Sequence, residues 1–147
     1  MPTRSARRKS NHRVGIQFAV PRRGLPSPGT FRKWAALVPL DVTVRIVGAR
    51  EGRSLNRRFR AKDYATNVLS FAYGNGAGDL VLCHPVIARE ARAQGKALAA
   101  HYAHLVLHGL LHLRGYRHVK KREASRMERA EVRLLARAGF GNPYTVE

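Results

Sequence analysis

Apolar residues alternate with polar ones at Val14, Ile16, Phe18 and Val20, and again at Val42, Val44 and Ile46. This period of two belongs to strands with one buried face. Between the two runs, PRRGLPSPG reads as a loop and Thr30 as a helix cap. Phe31, Trp34, Ala35 and Val38 then recur at helical spacing until Pro39 stops the helix. Residues 51–59 predict a short helix that buries Leu55 and Phe59. NVLSFAY and DLVLCH predict a third and a fourth strand, joined through GNGAG in a link short enough for a hairpin. Pro85 opens a helix that runs to about Gly95. Residues 97–113 form the most apolar helix, and a last one over about 121–138 stops at Gly139. The alternation contains no repeat and no interdomain linker. It predicts an α+β fold with a small mixed sheet of about four strands packed with about five helices. Residues 14–147 are read as one domain, preceded by a basic flexible arm over residues 1–13.

Charge changes this picture from a generic domain to one with a partner. The chain of 147 residues has 28 Lys and Arg against 9 Asp and Glu, a net charge of +19. Self-repulsion on that scale calls for a polyanion, and nucleic acid is the expected one. Five arginines of the last predicted helix, Arg122, Arg126, Arg129, Arg133 and Arg137, recur every three or four residues as one stripe. Beside it Met127, Ala130, Leu134 and Ala138 form an apolar face. The stripe is either a solvated face or an RNA contact, and the absence of acids on it favours the second. One cysteine, Cys83, excludes an intrachain disulfide and fits a reducing compartment. No apolar run approaches the length of a bilayer span, and no apolar stretch follows the basic N-terminus as a secretory signal requires.

The candidate chemistry lies in HGLLHLRGYRH, residues 108–118. At about 100° per residue, His108 and His112 project from one helical face, roughly 40° apart. On a straight helix His118 would stand ~15 Å further along the axis, whereas zinc–nitrogen bonds are ~2 Å. Gly115 resolves this, because a left-handed turn there can bring the chain back without a Cβ penalty. Three imidazoles leave a tetrahedral position open for water, the arrangement of a catalytic zinc and not of a closed structural one. The spacing also matches HExxHxxGxxH metalloproteases, but Gly109 occupies the place of the glutamate base. Peptide hydrolysis by that route is excluded. His101 and His104 share the same helical face, either as an outer layer around the ligands or as packing residues. Asn67 and Asp79 read as turn residues bonding local backbone, and Cys83 as a buried thiol rather than a fourth ligand.

Beyond this cluster, LNRRFRAKDYATNVLSF (55–71), GDLVLC (78–83), EARAQGKALAAHYAHLVLHGLLHLRGYRH (90–118) and MERAEVRLLARAGFGNPY (127–144) resemble, in order, blocks of the YbeY family of bacterial metal-dependent endoribonucleases. The resemblance implies a zincin-like domain holding one zinc ion on His108, His112 and His118. It implies cleavage of single-stranded RNA in 16S rRNA 3′-end maturation and ribosome quality control, in the cytoplasm. The implied partners are ribosomal RNA and the small ribosomal subunit, with ribosomal proteins and an assembly GTPase as further candidates and no membrane. Arg60 matches the family's functional arginine, and a guanidinium suits a scissile phosphate or the charge that develops on it. Three departures stand out. Arg117 replaces the usual aspartate before the third histidine, Ala61 replaces a glycine, and VKKRE follows His118 where acids are common. A cation beside the third ligand opposes metal binding. This leaves two alternatives to the nuclease: an RNA-binding ribosome-assembly factor with weak or no catalysis, and another zinc hydrolase.

Overall fold

The computed structural model describes residues 12–144, so the basic arm lies, apart from His12 and Arg13, outside the described residues. In chain order the elements are β1 (Val14–Phe18), α1 (Pro28–Ala35), β2 (Asp41–Val47), α2 (Ala49–Arg60), β3 (Val68–Gly74), β4 (Ala77–Cys83), α3 (His84–Ala93), α4 (Leu98–Leu113) and α5 (Lys121–Arg137). The expected α+β architecture, four strands with five helices, is the one found. The strands lie in the order β1-β2-β4-β3. β1, β2 and β4 run parallel, and β3 closes one edge antiparallel to β4. The glycine-rich link is a hairpin turn in which Gly74, Asn75 and Gly76 all have positive φ.

One boundary and one burial differ from the sequence reading. α1 begins at Pro28, not after Thr30, because Ser27 is the cap: its Oγ accepts the Thr30 N–H at 3.1 Å. Pro28 then fills the first helical position, where a missing N–H costs nothing. Phe59, expected in the core, is 57% exposed. Its ring packs edge-on against Phe71 of the edge strand, 5.4 Å between centroids.

Alternation along β4 decides which helix covers which face. Leu80 and Leu82 point into the larger core with Val42, Val44 and Ile46, beneath Phe31 and Trp34 of α1 and Tyr102, Val106 and Leu110 of α4. Val81 and Cys83 point the other way, into a smaller cluster with Leu69, Val47 and Leu55 of α2. α4 is therefore held between the sheet and α5, where Leu111 packs on Met127 and Ala130. That position explains its apolar sequence, since each fully buried Leu or Val there contributes about 1.5–3 kcal/mol. The Cys83 thiol is buried, as expected, and burial raises its pKa.

At Gly109 α4 packs tightly against the sheet. A Cβ at this position would lie 2.3 Å from Leu80 Cδ1 and 3.2 Å from Ser70 Oγ. Ser70 Oγ also donates to the Gly109 carbonyl at 3.3 Å. A side chain there would force Leu80 to shift, so packing favours glycine. The same fact explains why no acidic base follows the first histidine.

Candidate metal centre

α4 presents His108 and His112 one turn apart and then stops in a tight reversal. Gly115 N–H donates to the His112 carbonyl and Tyr116 N–H to the Leu111 carbonyl, both at 2.9 Å. Gly115 has φ +99°, a conformation that costs glycine little and other residues much. The Tyr116 side chain seats against Leu111, Met127 and Ala130, which anchors the reversal to α5. The chain then returns His118 to the end of α4. One ring nitrogen from each of His108, His112 and His118 lies within 4.8 Å of the other two. The turn expected at Gly115 is present, and the three histidines are together.

The hydrogen bonds of the rings decide what they can bind. His112 Nδ1 donates to the Tyr116 carbonyl at 3.1 Å, and His108 Nδ1 donates to the carboxylate of Glu131. A neutral imidazole that donates from Nδ1 carries a lone pair on Nε2. The two Nε2 atoms face each other at 3.2 Å. Two lone pairs that close repel unless a cation or proton lies between them. Nitrogens ~2.0–2.1 Å from a tetrahedral ion stand about 3.3–3.4 Å apart, so the pair fits a zinc-sized ion. Burial, and then the neighbouring charges of His108 and His118, lower the pKa of His112. That favours the neutral, ligating form.

Glu131 is fully buried on α5. Burial by itself would raise its pKa. Hydrogen bonds from His104, His108 and Tyr144 overcome that and hold it down to about 2. His104 Nε2 reaches Glu131 Oε1 at 3.2 Å, and the Tyr144 hydroxyl donates to the same oxygen. The carboxylate thus orients His108, and it ties α4, α5 and the C-terminal segment into one polar cluster. Sequence reasoning misses Glu131. The available signal was its place on the apolar face of α5, four residues after Met127.

The other candidate residues separate. His104 joins the outer layer, whereas His101 bonds Glu90 Oε1 at 2.9 Å, and Asn67 Nδ2 approaches both Glu90 oxygens at 3.1 and 3.3 Å. Asn67 and Asp79 do not bond local backbone through their side chains as expected. Asp79 accepts from the Tyr73 hydroxyl instead. Arg60 is the last residue of α2 and is exposed. α2 covers the sheet face opposite α4, and no hydrogen bond joins Arg60 to the histidines. The next residue, Ala61, sits in the left-handed region at φ +58°. Arg117 is exposed beside His118 and has no carboxylate partner among the described residues.

Fold and cluster together define an α+β domain with a three-histidine candidate metal centre. The family model described as Endoribonuclease YbeY matches residues 30–139. A protein named Endoribonuclease YbeY from Stenotrophomonas maltophilia is 50% identical over 151 aligned positions, covering 91% of this chain and 94% of that one. Its namesake from Nitrosomonas eutropha is 46% identical, covering 90% and 98%. The chain belongs to the endoribonuclease YbeY family. The solution structure of TM1509 from Thermotoga maritima shares the fold with a TM-score of 0.52, at 21% identity over 90% of this chain and 99% of that one. No helix among the described residues is long and apolar enough to cross a membrane.

Proposed function

We propose that this chain is a zinc-dependent, single-strand-specific endoribonuclease of the cytoplasm, acting on 16S rRNA during 3′-end maturation and in ribosome quality control. His108, His112 and His118 would hold the ion. The observation that carries the reading is the facing pair of Nε2 atoms at 3.2 Å, each ring fixed by a hydrogen bond at its Nδ1. When bound, a zinc ion supplies a Lewis acid for a phosphoryl oxygen and acidifies a water molecule. The chain's own part is orientation. Glu131 and the Tyr116 carbonyl fix two imidazoles, and Gly115 sets the path of the third. Arg60 would hold a phosphate of the strand where α2 ends, near edge strand β3. Family membership and the +19 charge support RNA as the substrate.

Arg117 favours a second reading, an RNA-binding assembly factor with feeble catalysis, because a cation beside the third ligand opposes a divalent ion. One experiment separates the two. A structured RNA with single-stranded ends is incubated with the wild type, His112→Ala and Arg60→Glu, each with zinc and with a chelator. Cleavage by the wild type alone, abolished by chelation, is expected. RNA bound but uncut by every protein would favour the assembly factor.

A further inference from the structure

Around the corner of the Gly115 turn lies a pocket of about 220 Å³ lined by Arg114, Gly115, Tyr116, Arg117, Glu123 and Arg126. Three arginines thus line one small cavity, where like charges repel. Among the described residues none of the three has a carboxylate partner. Arg114 spends one N–H on the Pro39 carbonyl at 3.3 Å. Glu123 is the pocket's single acid, and its Oε1 accepts the Lys120 N–H at 3.1 Å at the start of α5. Three cations against one anion leave an excess of two positive charges. We propose that this pocket binds a phosphate group of an RNA strand, at a nucleotide other than the one being cut.

Sign and size select the ligand. A cation is excluded by the excess charge, and a purely apolar group by a lining of arginines. Typical small-molecule pockets run to about 300–1,000 Å³, so a cavity of this size suits a single compact group rather than a nucleoside. A phosphodiester offers two anionic oxygens to planar guanidinium forks, the geometry at which arginine surpasses lysine. The pocket shares its wall with the segment that carries His118, because Arg117 directly precedes that ligand. On its other side Arg122, Arg129, Arg133 and Arg137 continue an exposed basic surface along α5. A strand threaded past the histidines would therefore meet cations on leaving them. Arg117 acquires a purpose here: the charge that opposes the metal holds the polymer. The assignment rests on the nuclease reading for the identity of the polyanion.

The test uses the full chain in excess chelator, so that no cleavage occurs and binding is read alone. Affinity for a short single-stranded RNA is measured against salt for the wild type, for Arg117→Ala/Arg126→Ala, and for Arg89→Ala/Arg92→Ala, a control of equal charge on α3. Loss of one phosphate contact is expected to reduce the log–log salt slope by about 0.7 in the pocket variant and not in the control. A roughly tenfold loss of affinity at fixed salt should accompany it. Equal slopes in the two variants would overturn the proposal. Inorganic phosphate supplies the second arm: it should perturb the Gly115 and Tyr116 amide resonances only at concentrations that RNA out-competes. Phosphate that RNA fails to displace would mean a free-anion site and would also overturn it. An unchanged slope, with cleavage by the wild type in a parallel zinc-loaded assay, would sink this assignment alone. A reduced slope with no metal-dependent cleavage by the wild type would sink the nuclease reading alone.

Discussion

His108 and His112 hold their Nε2 atoms 3.2 Å apart, and each ring is turned into that position by a hydrogen bond on its far side. Such a pair repels unless a cation or a proton lies between the two nitrogens. The protein purified without chelators should therefore contain one zinc ion per chain by elemental analysis. His112→Ala should lower zinc affinity by more than the ~10–100-fold typical of losing an orienting partner, because it would remove one of the proposed ligands outright. Unchanged zinc content in that variant would mean that the ion, if present, sits elsewhere.

Glu131 is the partner that orients His108, and it is buried with three donors around it. Glu131→Gln keeps the shape but removes the charge that polarises His108. Zinc affinity, read by competition with a chromophoric chelator, should fall about 10–100-fold while the far-ultraviolet spectrum is retained. Tyr144→Phe should have a smaller effect in the same direction, since two histidines still face the carboxylate. A Glu131→Gln variant with wild-type affinity would assign the residue to packing.

How much of this could be read from the chain depended on whether the cause was local. Strand alternation, the helical face shared by His108 and His112, and the turn at Gly115 are set by neighbours within a few residues, and all were legible. Glu131 was not, because its role comes from α5 packing on α4, a contact between residues 23 apart in sequence. His101 and His104 have equivalent places in the helical pattern, yet one faces α3 and the other α5. Only the packing of the helices distinguishes them. Phe59 misled for the opposite reason: its helical spacing is sound, but α2 overhangs an edge strand and leaves half the ring in solvent. Gly109 was legible as a missing base, whereas its close approach to Leu80 was not.

Ala61 occupies a left-handed conformation at φ +58°, as the residue that ends α2. An L-residue with a Cβ bears about 1–2 kcal/mol there, partly offset because glycine has more freedom to lose on folding. Ala61→Gly should stabilise the protein by about 1 kcal/mol, measured as a higher urea midpoint at unchanged slope. A lower midpoint would show that the turn tolerates the methyl group without strain.

At Gly109 the helix leaves no room for a side chain. Gly109→Glu would recreate the metalloprotease motif, but it forces a carboxylate into Leu80 and Ser70. Overpacking costs about 1–3 kcal/mol and an unpaired buried charge adds to it. The melting temperature should fall on the order of 10 °C, with no peptidase activity gained. A variant that melts like the wild type would mean that α4 can shift away from the sheet, and that the glycine is not a packing requirement.

His84 gives the fold a pH dependence of definite sign. Its ring is part-buried, stacked on Tyr102, with Nδ1 2.7 Å from the Tyr102 hydroxyl. Burial pushes its pKa below the ordinary 6.5, and the charge of Arg92 pushes the same way. The unfolded chain therefore takes up a proton as the pH drops through about 6.5, while the folded chain resists it. Where the unfolded state holds more protons, stability rises with pH. This contribution should be fully present above about pH 6.5 and be lost progressively below it, towards the lower folded value. In metal-free protein His112 adds a slope of the same sign, so the diagnostic is a difference. His84→Gln keeps a polar partner for Tyr102 and removes the titration. Urea midpoints for the two proteins should converge at acid pH relative to their separation at neutral pH, and parallel curves would remove His84 as the cause.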